Sequence, residues 1–600
     1  MAVAGGDGVR ELVAPPPDPA AERAPTGTGR LWRVGRHVLV LGCYLALAVW
    51  VTSGLWASPD TRALTVDPVD QSFMEWALAY GVHVVRHLGD PFYTTLVNAP
   101  VGANMMANTS MLFPGVVLAP VTLLFGPAVS FVLLETLALA GTAAAWYLVF
   151  RRRLGVSWGA AALGAGLCGF APGMVALSNT HVHITALFLA PFIVSLVLPG
   201  DVEGWRRSVG RGALLGVLLT LQGLTGMESL LSIALGTGTF VLVYALLDVP
   251  RARRLARTFL VRAGTGLVVS VVLLGYPLWM MVAGPGHTTG TPWVISASGT
   301  DVGSWLWYGS FALAGGPERA SLAYAVNPIE ETGFLGIGLA ALLLVLAVRL
   351  WRDRTARALV LTGLVFVVLS FGTEIVVFGV RTGIPAPWAL LAKVPLLEQA
   401  LPDRVALVAV TAFGALLALG VDHARRTGVR RPVRYGVLAL ALVPILPVPL
   451  PTQYRDPIPT FFTAGTWRAY VRPGHTMLPV PMLRSVDRRG QRWSSGTGDE
   501  IAMPGGAIMI PVDGGQANWG VPRSDLTRML ARVSTTGRKP PITAAARANS
   551  RRDLVAARTD VVVLDPHTGH TAAVRATIDA VLGHPGRYVG GVWVWRTGLA

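Results

Sequence analysis

Six side chains that can take part in acid–base or metal chemistry lie close together between residues 65 and 110. They are Asp67, Asp70, Glu75, His83, His87 and Asp90. A carboxylate can act as a general base, and two neighbouring carboxylates can bind a divalent cation such as Mg²⁺ or Mn²⁺. The closely spaced pair Asp67 and Asp70, in the sequence DPVD, is therefore the first candidate for a catalytic or metal-binding site.

The same pair also has a purely structural interpretation. Pro68 favours the first position of a helix, which makes Asp67 its N-cap and Asp70 an acid of the first turn. The run from Val69 to Leu88 is predicted to form an amphipathic helix that lies on the outer leaflet of a membrane. Both interpretations stay open at the level of the sequence.

Further candidates come from later parts of the chain. His181 and His183 follow a Pro-Gly break; in an extended loop they share a face and could bind a metal, a sugar or a phosphate. Glu228 lies between two apolar runs, where an acid is costly unless it faces a cavity or the surface. Three cations are candidates for holding a phosphate, or else for pairing with nearby acids, and they are Arg381, Lys393 and Arg404.

The elements that must position these residues are membrane helices. The chain has 600 residues, a mean hydropathy of +0.53 and only 14% charged residues, and it contains repeated apolar runs of about 20 residues. The net charge of +17 comes from arginine clusters between these runs, as membrane topology requires, so we do not expect nucleic acid binding. The two cysteines lie inside apolar runs and are expected to be buried thiols.

We predict a polytopic helical bundle of about 11–12 spans, followed by a small α/β domain. Residues 1–30 are predicted to be a disordered cytoplasmic tail, residues 31–450 the membrane domain with its first external loop at 57–128, and residues 451–600 an extracytoplasmic domain. With about eleven crossings every arginine cluster lies on the cytoplasmic side. The short apolar segment 111–126 contains Pro114 and Pro120 and is predicted to be re-entrant, forming one wall of a site.

This arrangement resembles the GT-C class of membrane glycosyltransferases. The features that carry the resemblance are a first span, an external loop that opens with aspartate, many further spans and a C-terminal external domain. The segments 89–92 (GDPF), 98–104 (NAPVGAN) and 120–127 (PVTLLFGP) also resemble segments of large actinobacterial membrane proteins. The resemblance implies a polyprenyl-phosphate sugar donor, a glycan, glycolipid or protein acceptor of the cell envelope, and an essential acid at Asp67 or Asp70.

The leading hypothesis is therefore a multi-pass cell-membrane glycosyltransferase that acts on the outer face, with Asp67 as the base and the cations between 381 and 404 holding the phosphate. Two alternatives belong to other classes: a lipid or polysaccharide transporter, and a non-catalytic envelope assembly protein. Transporters tend to carry acids and bases in mid-span, whereas the acids here cluster at the external ends of spans.

Overall fold

A computed structural model describes residues 27–109, 111–292, 298–315, 324–394, 397–481, 489–520 and 523–598. Most of the predicted N-terminal tail lies outside these residues, and residues 27–30 already belong to the first helix. The membrane part of the chain contains these helices: α1 Gly27–Val51, α2 Ser53–Trp56, α3 Pro68–His87, α4 Leu112–Val117, α5 Ala119–Phe125, α6 Pro127–Val149, α7 Trp158–Phe170, α8 Pro172–Leu177, α9 Val182–Thr185, α10 Ala190–Val197, α11 Trp205–Gly223, α12 Met227–Leu247, α13 Val249–Val282, α14 Ile337–Arg349, α15 Arg354–Ser370, α16 Trp388–Leu391, α17 Ala406–Arg426 and α18 Arg431–Leu442.

The long apolar runs of the sequence form helices of this set. Within the described residues, six helical segments are long and apolar enough to cross a bilayer, and they include α1, α6, α7, α12, α13 and α17. The other predicted spans form helices that are shorter or, like α11, begin with arginines. The protein is thus a mostly helical, multi-pass membrane protein, while the sidedness of its termini stays a prediction.

The segment 111–126 does not form one continuous helix. It forms α4 and α5, which meet at Leu118, and Pro120 lies in the first turn of α5. Helix α4 packs directly on α3, because both helices carry a glycine at their crossing: a Cβ on Gly81 would lie 2.2 Å from the carbonyl carbon of Gly115. One face of the broken helix packs on protein through Leu112, Gly115, Ala119 and Thr122, whereas Leu123, Leu124 and Phe125 are exposed.

Helix α3 differs from its prediction. All side chains from Gln71 to Val82 are buried, so α3 is not a surface helix with one wet face. Helices α4, α5 and α6 cover one side of α3, and the C-terminal domain packs on another. The amphipathic pattern was therefore misleading, because the side of the helix that carries Gln71 and Glu75 is buried by protein and not exposed to water.

The C-terminal domain has a mixed sheet with helices, which confirms the predicted α/β fold. Its sheet consists, in spatial order, of β11 (Arg587–Val589), β12 (Val592–Arg596), β10 (Thr559–Leu564) and β7 (Thr476–Val480). Strands β7 and β10 are parallel, and the other pairs are antiparallel. The helices are α19 Thr460–Thr463, α20 Arg489–Ser495, α21 Asp525–Thr536, α22 Ala544–Ala556 and α23 Thr571–Leu582. The strands of the whole chain are β1 Arg62–Leu64, β2 Tyr93–Thr94, β3 Ala103–Asn104, β4 Glu374–Val377, β5 Val380–Pro385, β6 Thr452–Tyr454, β7 Thr476–Val480, β8 Met509–Pro511, β9 Ala517–Trp519, β10 Thr559–Leu564, β11 Arg587–Val589 and β12 Val592–Arg596.

The loop at residues 57–128, which was predicted to be external, joins the two parts of the protein. Strand β1 of this loop pairs with β6 of the linker that leads to the C-terminal domain. The backbone N–H groups of Asn98 and Ala99 donate to the carbonyls of Gly505 and Met503. The NAPVGAN segment therefore has a structural role: Asn104 donates to the carbonyls of Met280 and Pro285 at the end of α13.

Candidate functional site

Asp67 is engaged in starting α3. Its Oδ1 accepts hydrogen bonds from the backbone N–H groups of Val69, at 3.0 Å, and Asp70, at 2.8 Å. This is the N-cap geometry that the Asp-Pro sequence predicts. One carboxylate oxygen of Asp67 is thus committed to the helix end, which makes Asp67 a weaker candidate for a base than the sequence suggested.

Asp70 is aimed at the histidines of the Pro-Gly break. Its Oδ2 lies 3.6 Å from Nε2 of His181, and both side chains are largely shielded from solvent. The rings of His181 and His183 are 5.6 Å apart and nearly perpendicular. Two candidates that are 111 positions apart in the chain, Asp70 and His181, therefore face each other at one site.

The backbone before His181 is strained. Thr180 has φ +95°, a region that a β-branched residue rarely occupies. Among the described residues, the buried atoms Asn179 Oδ1, Thr180 Oγ1, His181 Nδ1 and His183 Nδ1 have no hydrogen-bond partner. Strain and unpaired polar atoms of this kind are concentrated at binding sites, where a ligand or water supplies the missing partners.

Arg404 lies between two carboxylates. Its Nη1 donates to Oε2 of Glu228 at 2.7 Å, and its Nε and Nη2 donate to Glu330, the shortest distance being 2.6 Å. The structure therefore brings together two residues that the sequence singled out, Arg404 and Glu228. The guanidinium has five N–H donors, and these contacts use three of them.

Glu330 belongs to this site although the sequence analysis did not select it. It ends a short 3₁₀ helix, Pro328–Glu330, whose Asn327 cap accepts from the backbone N–H groups of Ile329 and Glu330. Burial raises the pKa of Glu330, but the charge and hydrogen bonds of Arg404 outweigh it and hold the pKa below its usual value, while Asp70 acts in the opposite direction. The signal that could have revealed Glu330 is a pair of acids, Glu330 and Glu331, in an otherwise aromatic external loop.

Two predicted phosphate-binding cations are placed elsewhere. Arg381 is exposed on β5 and donates to Oε2 of Glu374 on the neighbouring strand at 3.0 Å. Lys393 is an exposed side chain just after α16. Neither takes part in the ion pairs of Arg404. Their position in the sequence close to Arg404 was misleading, because Arg381 lies on the exposed strand of the β4–β5 hairpin and Lys393 is exposed, whereas Arg404 is buried.

The possible metal ligands do not converge. In the part of the chain that the structure describes, no three His, Cys, Asp or Glu side chains are grouped as a metal ion requires. His83 and His87 share a helix face, with ring centroids 4.3 Å apart, and burial and the neighbouring His87 lower the pKa of His83. In the proposed Asp67 and Asp70 metal pair, Oδ1 of Asp67 accepts a backbone hydrogen bond and Oδ2 of Asp70 lies 3.6 Å from His181, so metal binding by this pair stays a prediction.

A large apolar cavity begins at Arg404. Its volume is about 660 Å³, and its walls come from α6, α10, α12, α13, α15 and α17. Near Arg404 the lining includes Ile184, Leu187, Leu407 and Val408. A charged group at the end of an apolar cavity between membrane helices is an arrangement that suits a lipid with a polar head.

Comparison with known proteins gives structural matches only. No family model and no curated protein matches the chain. The structure is similar to that of the Archaeoglobus fulgidus oligosaccharyltransferase in the apo form, with a TM-score of 0.47 and 12% identity over 90% of this chain and 71% of that one.

Two further structures of the same archaeal enzyme match in a similar way. One is a complex with an inhibitory peptide and a dolichol-phosphate, with a TM-score of 0.46 and 12% identity over 90% of this chain and 70% of that one. The other is a complex with zinc and sulfate, with a TM-score of 0.42 and 14% identity over 88% of this chain and 68% of that one.

Proposed function

We propose that the protein is a membrane glycosyltransferase that moves a sugar from a polyprenyl-phosphate donor to a hydroxyl or amide acceptor of the cell envelope. The observation that carries this proposal is the position of Arg404 at the end of the apolar cavity, where it pairs with Glu330. The pKa of Glu330 is in turn influenced by the charges of Asp70 and His181, which face each other at 3.6 Å. The isoprenoid tail occupies the part of the cavity next to Arg404. The site lies on the side of the membrane that carries the C-terminal domain, which is the outer side if the positive-inside rule holds.

The reaction is a direct displacement at the anomeric carbon of the sugar. For a hydroxyl acceptor, its proton passes to the Asp70 carboxylate while its oxygen forms a bond to the anomeric carbon. The bond between this carbon and the phosphate oxygen breaks, and the polyprenyl phosphate leaves with the bonding electron pair. Asp70 acts as the general base, and the two remaining N–H donors of Arg404 stabilise the departing phosphate.

The surrounding charges decide how Arg404 can act. Glu228 and Glu330 neutralise its positive charge, so Arg404 by itself orients the phosphate more than it attracts it. The proposed displacement uses no metal. Both oxygens of Glu330 accept hydrogen bonds from Arg404, and among the described side chains no three potential metal ligands are grouped around Asp70. Metal dependence stays a prediction, and added Mg²⁺ or Mn²⁺ compared with a chelator tests it.

The test uses the purified full-length protein and a panel of radiolabelled polyprenyl-phosphate sugars, with membrane extracts as the source of acceptors. We expect transfer with one donor. Asp70→Asn should lower kcat by at least a hundredfold, because general-base catalysis contributes about 10²–10⁴-fold. Asp67→Asn is the matched control, since asparagine caps a helix as well as aspartate, and it should stay within a fewfold of the parent protein.

Three results would contradict parts of the proposal. Absence of transfer with every donor in the panel would reject glycosyl transfer from these lipids, provided that a cooperative thermal unfolding transition shows that the protein is folded. Full activity of Asp70→Asn would remove Asp70 from the mechanism. Loss of activity in Asp67→Asn with retention in Asp70→Asn would return the role of base to Asp67.

A further inference from the structure

The apolar cavity has a second charged end, which the proposed reaction does not use. Along α12 its lining runs from Ser229 to Ala245, which is about 24 Å at 1.5 Å per residue and close to the thickness of the hydrocarbon core. One end carries Arg404. The opposite end carries Arg153, at the end of α6, and Arg251 and Arg253, at the start of α13.

The acids near this second end are already paired. Glu203 accepts a hydrogen bond from Arg211 and forms an ion pair with the fully buried Arg262. Asp248 caps α13 and accepts from Arg354 at 2.6 Å. The three arginines of the cavity mouth therefore keep their positive charge for another partner.

The three arginines also have donors to spare. Arg153 is held in place by Ser195, since its Nε donates to the hydroxyl at 2.9 Å and its Nη2 donates to the carbonyl. In the described residues, Nη1 of Arg153 and the guanidinium groups of Arg251 and Arg253 make no hydrogen bond. One guanidinium group held by Ser195 and two exposed guanidinium groups at an apolar opening form a receptor for a phosphate group.

The walls between this mouth and the middle of the membrane are apolar. Phe240 and Tyr244 of α12 and Phe259 of α13 face the cavity together with Val194 and Leu198. A ligand that fits both regions has a phosphate at the membrane surface and hydrocarbon that extends about half the thickness of the bilayer. This is the chemistry of a glycerophospholipid in the leaflet on the arginine-rich side of the protein.

We propose that the mouth formed by Arg153, Arg251 and Arg253 binds one anionic phospholipid, whose acyl chain fills the adjoining half of the cavity. Charge complementarity selects an anionic headgroup over a zwitterionic one, because three unneutralised cations surround the phosphate. The site is independent of the proposed glycosyl transfer, since it lies at the other end of α12 and takes its ligand from the opposite leaflet.

The test measures binding of phosphatidylglycerol and phosphatidylcholine to the purified full-length protein by native mass spectrometry in detergent. Arg251→Gln/Arg253→Gln should bind phosphatidylglycerol about thirtyfold more weakly, the factor expected for two basic side chains at about 1 kcal/mol each. Arg254→Gln/Arg257→Gln is the matched control: it removes the same charge from exposed positions of the same helix that do not line the cavity, and its affinity should change less than twofold.

A second variant tests the apolar half without changing charge. Ala245→Phe places a ring inside the lining near the mouth and should displace the phospholipid while leaving the elution volume and the unfolding temperature of the lipid-free protein unchanged. Inorganic phosphate at the same concentration should not compete, because it has no hydrocarbon to bury. Equal losses in the two arginine pairs, equal binding of the two phospholipids, or displacement by inorganic phosphate alone would each overturn the proposal.

Discussion

Asp67 and Asp70 are three residues apart and have the same side chain, yet the fold gives them different environments. Asp67 precedes the first turn of α3, where its Oδ1 accepts two backbone hydrogen bonds. Asp70 is one turn further and faces His181. At the scale of single residues, the position relative to the helix end separates a capping carboxylate from a candidate base.

This difference predicts that substitution of Asp67 affects folding stability, whereas substitution of Asp70 does not. Asp67→Ala should destabilise the protein by about 1 kcal/mol, because it removes an N-cap. Asp67→Asn should be close to neutral, and Asp70→Asn should leave stability nearly unchanged. Thermal unfolding in one detergent, followed by circular dichroism, compares the three variants. A larger destabilisation from Asp70→Asn than from Asp67→Ala would show that the structural role belongs to Asp70.

The buried carboxyl of Asp499 predicts that the folding stability of the protein depends on pH. Its side chain is fully buried in the C-terminal domain, and burial raises the pKa of its carboxyl well above the usual value, against a weak hydrogen bond from Ser494 at 3.3 Å. A pKa that is higher in the folded state means that stability is full below the unfolded pKa of about 4 and is lost as pH rises through the folded pKa.

The variant Asp499→Asn should remove this dependence. Asparagine is uncharged, has nearly the same shape and tolerates the φ of +56° at this position. We expect the parent protein to lose stability relative to Asp499→Asn as the pH rises above the unfolded pKa of about 4, measured by thermal unfolding at several pH values. Asp525→Asn, at an exposed position, serves as the control and should leave the pH profile of stability unchanged. If the profile of Asp499→Asn ran parallel to that of the parent protein, the prediction would be refuted.

At the scale of elements, the crossing of α3 and α4 determines where Asp70 lies. Gly81 and Gly115 let the two backbones touch, and a side chain on either would separate them. Small residues at such crossings permit the close packing on which helix association in membranes depends. The broken segment 111–126 thus supports the candidate site by fixing α3, although it does not carry a reactive side chain itself.

Gly81→Ala is the corresponding test. Its Cβ would lie 2.2–2.6 Å from the backbone of Gly115, so the helices must move apart, and overpacking of this kind costs about 1–3 kcal/mol. We expect a lower unfolding temperature and reduced transfer activity. Gly42→Ala in α1, where nothing lies within 4 Å of the added Cβ, is the control and should be neutral. Equal stability of the two variants would show that the crossing is not tight.

The elements themselves could be predicted from the sequence to a large extent. Membrane helices must satisfy their backbone hydrogen bonds internally, so apolar runs of sufficient length specify them without knowledge of their neighbours. The α/β character of the C-terminal domain was predicted for a similar reason, since short β-branched or apolar runs between turn residues are local signals. The burial of α3 was not predictable in this way, because it depends on the C-terminal domain, which follows much later in the chain.

The candidate site was predictable only in part. Asp70, His181, Glu228 and Arg404 stand out because charge is rare beside apolar runs, and the structure groups them. The partner Glu330 and the surface positions of Arg381 and Lys393 depend on how loops fold back on the bundle. The pairing of Arg404 with Glu330 joins residues 74 positions apart, and no local pattern specifies such a contact.

At the scale of the whole molecule, buried polar contacts join the C-terminal domain to the membrane bundle. Glu75 of α3 is 1% exposed, and it accepts hydrogen bonds from Gln71 and from Nη1 and Nη2 of Arg455 at 3.0 and 2.7 Å. Arg492 of α20 lies beside this pair, and burial, together with the charge of Arg455, lowers its pKa to about 10. This cluster is the polar centre of the interface between the two parts.

Removal of Arg455 should therefore separate the two parts before either unfolds. Arg455→Met leaves the buried carboxylate of Glu75 without its cation, which costs about 3–5 kcal/mol of stability. The double variant Arg455→Met with Glu75→Gln should recover part of this loss, because no buried charge is left unpaired. Limited proteolysis of the linker around residues 451–459 measures the separation, and far-ultraviolet circular dichroism checks that the helices remain. Arg468→Met removes an exposed partner of Glu500 and should have little effect, since exposed ion pairs contribute less than about 1 kcal/mol. If Arg455→Met and Arg468→Met were cleaved at the same rate, the Glu75 and Arg455 pair would not hold the C-terminal domain over the candidate site, and the rigid placement of Asp70 would have to come from the α3 and α4 crossing alone.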